Sequence, residues 1–93
     1  MTRRYAARVD ANQRAIVRAL RAAGCSVQSL ATVGAGCPDL LVGRTGSTYL
    51  MEVKIPMEKL NTLQRDWHAR WRGVPVDIVT SVDEALRAVG AVR

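Results

Sequence analysis

The sequence predicts a single mixed α/β domain over residues 1–93, with the element order α-β-β-β-α-β-α. Three observations predict it. Two short runs rich in Leu, Val and Tyr flank Arg44-Thr45-Gly46-Ser47 and read as a β-hairpin. Residues 9–23 and 61–71 carry apolar side chains at helical spacing. Ser81-Val82-Asp83-Glu84 reads as a capping box, opening a third helix behind a short strand at residues 76–79.

The first helix sets Ile16, Ala19, Leu20 and Ala23 on one stripe and Arg14, Arg18 and Arg21 on another, and Gly24 stops it. Asp10 followed by Gln13 matches a capping box and puts the start of the helix there. Residues 25–33 read as a strand anchored by Val27 and Leu30, with its alternation broken around Ser29. Gly34-Ala35-Gly36 lacks the Lys-Ser/Thr ending of a phosphate-binding loop, so it is read as a flexible turn into Pro38-Asp39.

A hairpin turn centred on Thr45-Gly46 sets Arg44 opposite Ser47, Val42 opposite Tyr49 and Asp39 opposite Glu52. Pro56 then ends the strand. In the second helix Asn61 and Gln64 form a capping box, and Leu63, Trp67 and Trp71 are its expected buried stripe. Gln64 and His68 are neighbours on the next stripe, where a lone His is read as a surface or packed residue. Gly73-Val74-Pro75 breaks that helix, and the last one is expected to turn Leu86 and Val89 inward.

A 93-residue chain buries only about 60–65% of its unfolded surface, so self-association is expected. The net charge of +6 favours a polyanionic partner, either nucleic acid or an anionic membrane surface. Six arginines among the first 24 residues face a single acid there, which favours a phosphate-contacting surface built on Arg14, Arg18 and Arg21. No apolar run is long enough to span a bilayer, and Arg3, Arg4 and Arg8 precede no apolar segment of a signal peptide. The cytoplasm is the expected compartment. Cys25 and Cys37 have no zinc-binding spacing and read as small buried thiols.

The hairpin register brings two carboxylates together. Directly opposed like charges are unfavourable unless compensated, and a divalent cation compensates them. Lys54 shares a face with Glu52 because side chains alternate along a strand. The plainer reading of Glu52 and Lys54, an exposed strand of alternating charge, leaves Asp39 unexplained.

Pro38-Asp39 followed by Glu52-Val53-Lys54 resembles the PD-(D/E)xK nuclease signature, and residues 60–71 with Gln64 resemble the helix that follows it in the VRR-Nuc branch. The similarity runs from about Asp10 to Ala88 and includes the Gly36-x-Pro38-Asp39 approach. It implies a restriction-endonuclease-like core in which Asp39, Glu52 and the Val53 carbonyl bind Mg²⁺ or Mn²⁺. Lys54 would orient or help deprotonate the attacking water, and Gln64 would position water or phosphate. Small stand-alone, phage-type members of this kind imply a homodimer acting on branched DNA, with no membrane partner.

One departure stands out. The family usually carries a Glu on its first helix, where this chain offers Asp10, Asn12 and Gln13. Asp10 is assigned to the metal because it alone is charged, against its equal reading as a cap. Two alternatives remain: a non-catalytic basic DNA-binding module, which needs no metal, and a general duplex endonuclease, which shares the chemistry.

Overall fold

The computed structural model describes residues 3–92 as a four-stranded sheet with three helices. In chain order they are α1 (Arg3–Ala22), β1 (Ser26–Ser29), β2 (Leu40–Arg44), β3 (Ser47–Val53), α2 (Thr62–Arg70), β4 (Val76–Val79) and α3 (Val82–Ala88). The strands lie in the order β1-β2-β3-β4. The β1–β2 and β2–β3 pairs are antiparallel and β3–β4 is parallel, with α2 in the crossover that a parallel pair requires. The predicted order and the mixed sheet are both observed.

The β2–β3 hairpin has the expected register. Arg44 pairs with Ser47, Val42 with Tyr49 and Leu40 with Met51. Thr45 and Gly46 both have positive φ, 50° and 82°, as a two-residue turn compatible with strand twist requires. Continuing the ladder by one residue sets Asp39 against Glu52.

Alternation divides the sheet into two faces. Leu40, Val42, Met51, Val53 and Val79 join Ile16 and Leu20 of α1, and Ala85 and Val89 at the α3 end, in one buried cluster. Each fully buried aliphatic side chain there contributes about 1.5–3 kcal/mol. Leu50 and Glu52 are buried outside that cluster, and the outer face also carries the exposed Leu41 and Ile78.

Four local expectations are corrected. Helix α1 begins at Arg3, so Asp10 sits well inside it and caps nothing. The run Ala6-Ala7-Arg8 consists of good helix formers and carries the helix past the supposed cap. Strand β1 is shorter than residues 25–33. The Ser29 hydroxyl accepts the Ala31 N–H at 3.2 Å and Val33 N–H turns back to the Leu30 carbonyl, which diverts the chain from the ladder.

Helix α2 does not bury Leu63, Trp67 and Trp71. Leu63 is 61% exposed and Trp71 41%, while Trp67 is half-buried and stacks on Trp71 at 4.7 Å. The helix turns its polar stripe, Gln64 and His68, toward the sheet instead. Finally, Cys37 is only half-buried, although Cys25 is buried as expected; both thiols are free.

Helix α3 keeps its cap with a shifted partner. Ser81 Oγ accepts the Glu84 N–H at 3.1 Å, and Glu84 reaches back to the N–H and hydroxyl of Thr80 rather than to Ser81. Ala85 and Val89 are buried, and Leu86 packs at the edge of the core.

Gly36 explains how α2 is seated. Its φ is +85°, and a Cβ built there would lie 2.2 Å from the Leu63 carbonyl oxygen, inside the first turn of α2. Only glycine permits both the turn and that approach. Gly36→Ala is therefore expected to cost about 1–3 kcal/mol and to lift α2 from the sheet. The chain's two tryptophans both belong to this helix and its C-cap, so the change is readable as a shift in intrinsic fluorescence, alongside the midpoint of urea unfolding.

Candidate active site at the carboxyl ends of β3 and β4

Open α/β sheets bind ligands outside the carboxyl ends of their parallel strands. Here β3 and β4 end side by side, and the antiparallel β2 begins next to them. The first half of α1 overhangs this edge, where Asn12 Nδ2 donates to the carbonyls of Lys54 at 2.8 Å and Thr80 at 3.1 Å. A cleft of ≈ 240 Å³ lies beneath, lined by Asp10, Asp39, Glu52, Val53, Lys54 and Gln64, together with Tyr5, Ala6, Val9, Glu58 and Asn61. All six predicted catalytic or metal-binding residues thus border one space.

Asp39 stands just before β2, where the buried Pro38 leads the chain into the sheet. One of its carboxylate oxygens accepts the Val53 N–H at 2.7 Å, which fastens it to the end of β3. Glu52 is 1% exposed. Its carboxyl is pushed up to about 9, first by burial and then by hydrogen bonding with, and repulsion from, Asp39; Lys54 opposes this.

Gln64 connects the two β3 side chains. Its amide nitrogen lies 3.4 Å from Glu52 Oε2, and its oxygen accepts the Lys54 ammonium at 2.7 Å. The same oxygen accepts the Asn61 N–H at 2.9 Å, while Asn61 Oδ1 accepts the Gln64 N–H, so the predicted capping box is complete. The capping geometry and the site geometry share one side chain.

Several contributors lay outside the sequence assignment. Glu58 faces the Lys54 ammonium at 3.7 Å, accepts the Ile55 N–H at 2.9 Å and is hydrogen-bonded by the Tyr5 hydroxyl. That last bond ties α1 to the loop after β3 and raises the Tyr5 phenol above its usual range. His68, one turn after Gln64, brings Nε2 to 3.4 Å from Glu52 Oε1. Burial, then the Lys54 charge, lowers its basicity. The i, i+4 spacing of Gln64 and His68 was the available signal for His68. Nothing in the local pattern marked Glu58 or Tyr5, which meet across 53 positions.

The predicted DNA-binding arginines line a separate open groove on α1 with Asp10, Gln13 and Val17. Arg14, Arg18 and Arg21 are exposed, and Arg21 also donates to the Val27 carbonyl at 3.2 Å. Asp10 borders both groove and cleft. At 1.5 Å per residue the stripe extends roughly 16 Å from the site.

Among the described residues no three His, Cys, Asp or Glu side chains are arranged to hold a metal ion by themselves. Two adjoining carboxylates, one of them forced toward its neutral form, nevertheless suit a hard divalent cation that fills its remaining positions with water, phosphate or backbone oxygen. No described helix is long and apolar enough to cross a membrane.

The sequence matches no family model and no curated protein. Its structure is similar to a solved structure described as a VRR_NUC domain, with a TM-score of 0.73 and 28% identity. The match covers 88% of this chain and 94% of the other. It supports the resemblance to the VRR-Nuc branch.

The raised Glu52 carboxyl makes stability depend on pH. Its folded-state value, about 9, exceeds the ordinary 4.5, so the neutral form favours folding. That contribution is complete below pH 4.5 and is lost as the pH rises toward 9. In EDTA, the melting temperature is expected to fall across this window, and Glu52→Gln, neutral at every pH, should flatten the profile. Thermal melts of both proteins in steps of one pH unit check this.

Proposed function

We propose that this chain, a VRR-Nuc nuclease domain by fold and motif, hydrolyses DNA phosphodiester bonds as a divalent-metal-dependent, structure-specific endonuclease. The observation that carries the reading is the convergence of Asp39, Glu52, Lys54 and Gln64 on one cleft. A non-catalytic module has no use for two carboxyl groups pressed together at the edge of a basic protein, where burying them is costly and neither attracts phosphate.

Asp39, Glu52 and the Val53 carbonyl would hold Mg²⁺ or Mn²⁺, with Asp10 as the acid contributed by α1. When bound, the ion would lower the pKa of a coordinated water and polarise the scissile phosphate. Lys54 stands beside these ligands with its ammonium held by Gln64 and Glu58. From there it orients the attacking water and donates to the phosphoryl oxygen on which charge develops. Gln64 fixes the spacing of Lys54 and Glu52, so both reach the reacting group without reorganising.

Arg14, Arg18 and Arg21 would hold the phosphates flanking the cut. A homodimer would set two such sites on a branched DNA, and the small core of the single chain favours that association.

The decisive assay offers end-labelled four-way junction, flap and linear duplex to the protein with Mg²⁺, Mn²⁺ or EDTA. Cutting is expected only with metal and to be strongest on branched substrates; equal cutting of linear duplex would instead favour a general endonuclease. Glu52→Ala and Lys54→Ala should each abolish cleavage while retaining most DNA binding by gel shift. Retained cleavage in both variants would sink the site assignment. Binding without cleavage under every metal would favour the basic DNA-binding module. Replacing Arg14, Arg18 and Arg21 by alanine together should weaken DNA binding. It should also flatten the slope of log affinity against log salt by about 0.9 for each phosphate no longer neutralised.

A further inference from the structure

We propose that His68 is a positioning residue for Glu52: through its ring N–H, with Gln64, it holds the Glu52 carboxylate in the orientation that lets it serve as a metal ligand. The inference rests on the metal-dependent reading of the cleft and concerns a residue that reading does not use.

The geometry is reciprocal. Helix α2 approaches Glu52 with two nitrogens one turn apart, Gln64 Nε2 near Oε2 and His68 Nε2 near Oε1, each at 3.4 Å; the His68 tautomer protonated on Nε2 makes both of them donors. Each oxygen therefore has its own partner on the helix. The lone pairs not directed at α2 are left for the side of the carboxylate that faces Asp39 and the cleft. At 3.4 Å both approaches are long for N–H···O bonds, and they shorten readily once the carboxylate carries full charge.

His68 does not itself line the cleft, and so it acts through Glu52 rather than on a substrate. Its side chain is 15% exposed, and its ring meets Trp67 edge-on, with centroids 6.2 Å apart and planes at 77°. That packing limits ring rotation. The ring thus has both a partner and a fixed direction, unlike a histidine that merely fills space. Groups that hydrogen-bond a metal-ligating carboxylate commonly change metal affinity or activity about 10–100-fold when removed.

The test compares His68→Leu, which keeps bulk and removes the donor, with His68→Gln, which restores an amide N–H. Mn²⁺ affinity is measured on the DNA-free protein from the electron paramagnetic resonance signal of unbound Mn²⁺. His68→Leu is expected to bind Mn²⁺ about 10–100-fold more weakly and His68→Gln within a few-fold of the unaltered chain. DNA binding in EDTA should be unchanged in both, with cleavage at subsaturating Mn²⁺ following Mn²⁺ affinity. Equal Mn²⁺ affinity in all three proteins would overturn the inference while cleavage stands. Mn²⁺ binding by the unaltered chain without cleavage of any DNA would overturn the nuclease reading and leave the Leu-against-Gln comparison to decide the role of His68.

Discussion

A carboxyl group that is 1% exposed and lies against a second carboxyl is costly unless donors, a proton or a cation reach it. Glu52 sits in that position because the β2–β3 register brings the end of β3 beside Asp39, and because strand alternation turns Glu52 away from the apolar cluster. Around it the fold supplies the Gln64 amide and the His68 ring, and fastens Asp39 to a backbone N–H. Among the described residues no buried side-chain nitrogen or oxygen lacks a partner. The arrangement is satisfied without metal only by keeping a proton that a divalent cation would displace.

Helix α2 makes sense only in that light. Judged by its apolar residues it should be a core helix, yet none of its residues is buried and Leu63 lies open to solvent. It is seated from below by Gly36, whose missing Cβ leaves room for the Leu63 carbonyl, and from the sheet side by polar bonds to Glu52 and Lys54 at the end of β3. The Gly36-x-Pro38-Asp39 segment therefore does two things within four residues: it admits α2, then starts the strand that presents Asp39.

What the sequence disclosed followed the range of each signal. Local chemistry was legible: positive φ at Thr45-Gly46 fixed the hairpin, its register paired Asp39 with Glu52, and the capping boxes located the starts of α2 and α3. Meetings between segments far apart in sequence were not. The Tyr5–Glu58 bond, the Asn12 bridge to the Lys54 and Thr80 carbonyls and the seat of α2 on Gly36 all depend on where α1 and α2 settle. The start of α1 was misplaced for a related reason. Asp10-Gln13 satisfies the pattern of a cap, but good helix formers upstream and the Tyr5 tie extend the helix, and Asp10 is left facing the cleft instead. The Trp67 and Trp71 periodicity misled because it records their stack on each other, not burial against the sheet.

Lys54 is placed so that the two carboxylates still lack a counter-charge. It is the obvious partner for Glu52, two residues away on the same face, and a direct ion pair would neutralise both. The ammonium instead donates to Gln64 Oε1 at 2.7 Å and faces Glu58 at 3.7 Å, with the Gln64 amide standing between it and Glu52. Glu58, held in turn by the Ile55 N–H and the Tyr5 hydroxyl, draws the lysine charge to the α1 side of the cleft. Asp39 and Glu52 thereby have no direct ion pair with the nearby lysine, whose charge only opposes the upward displacement that burial, and then Asp39, impose on Glu52. On the proposed metal-dependent reading, keeping lysine and carboxylates apart would leave Glu52 free as a metal ligand and the ammonium free as a donor to phosphate.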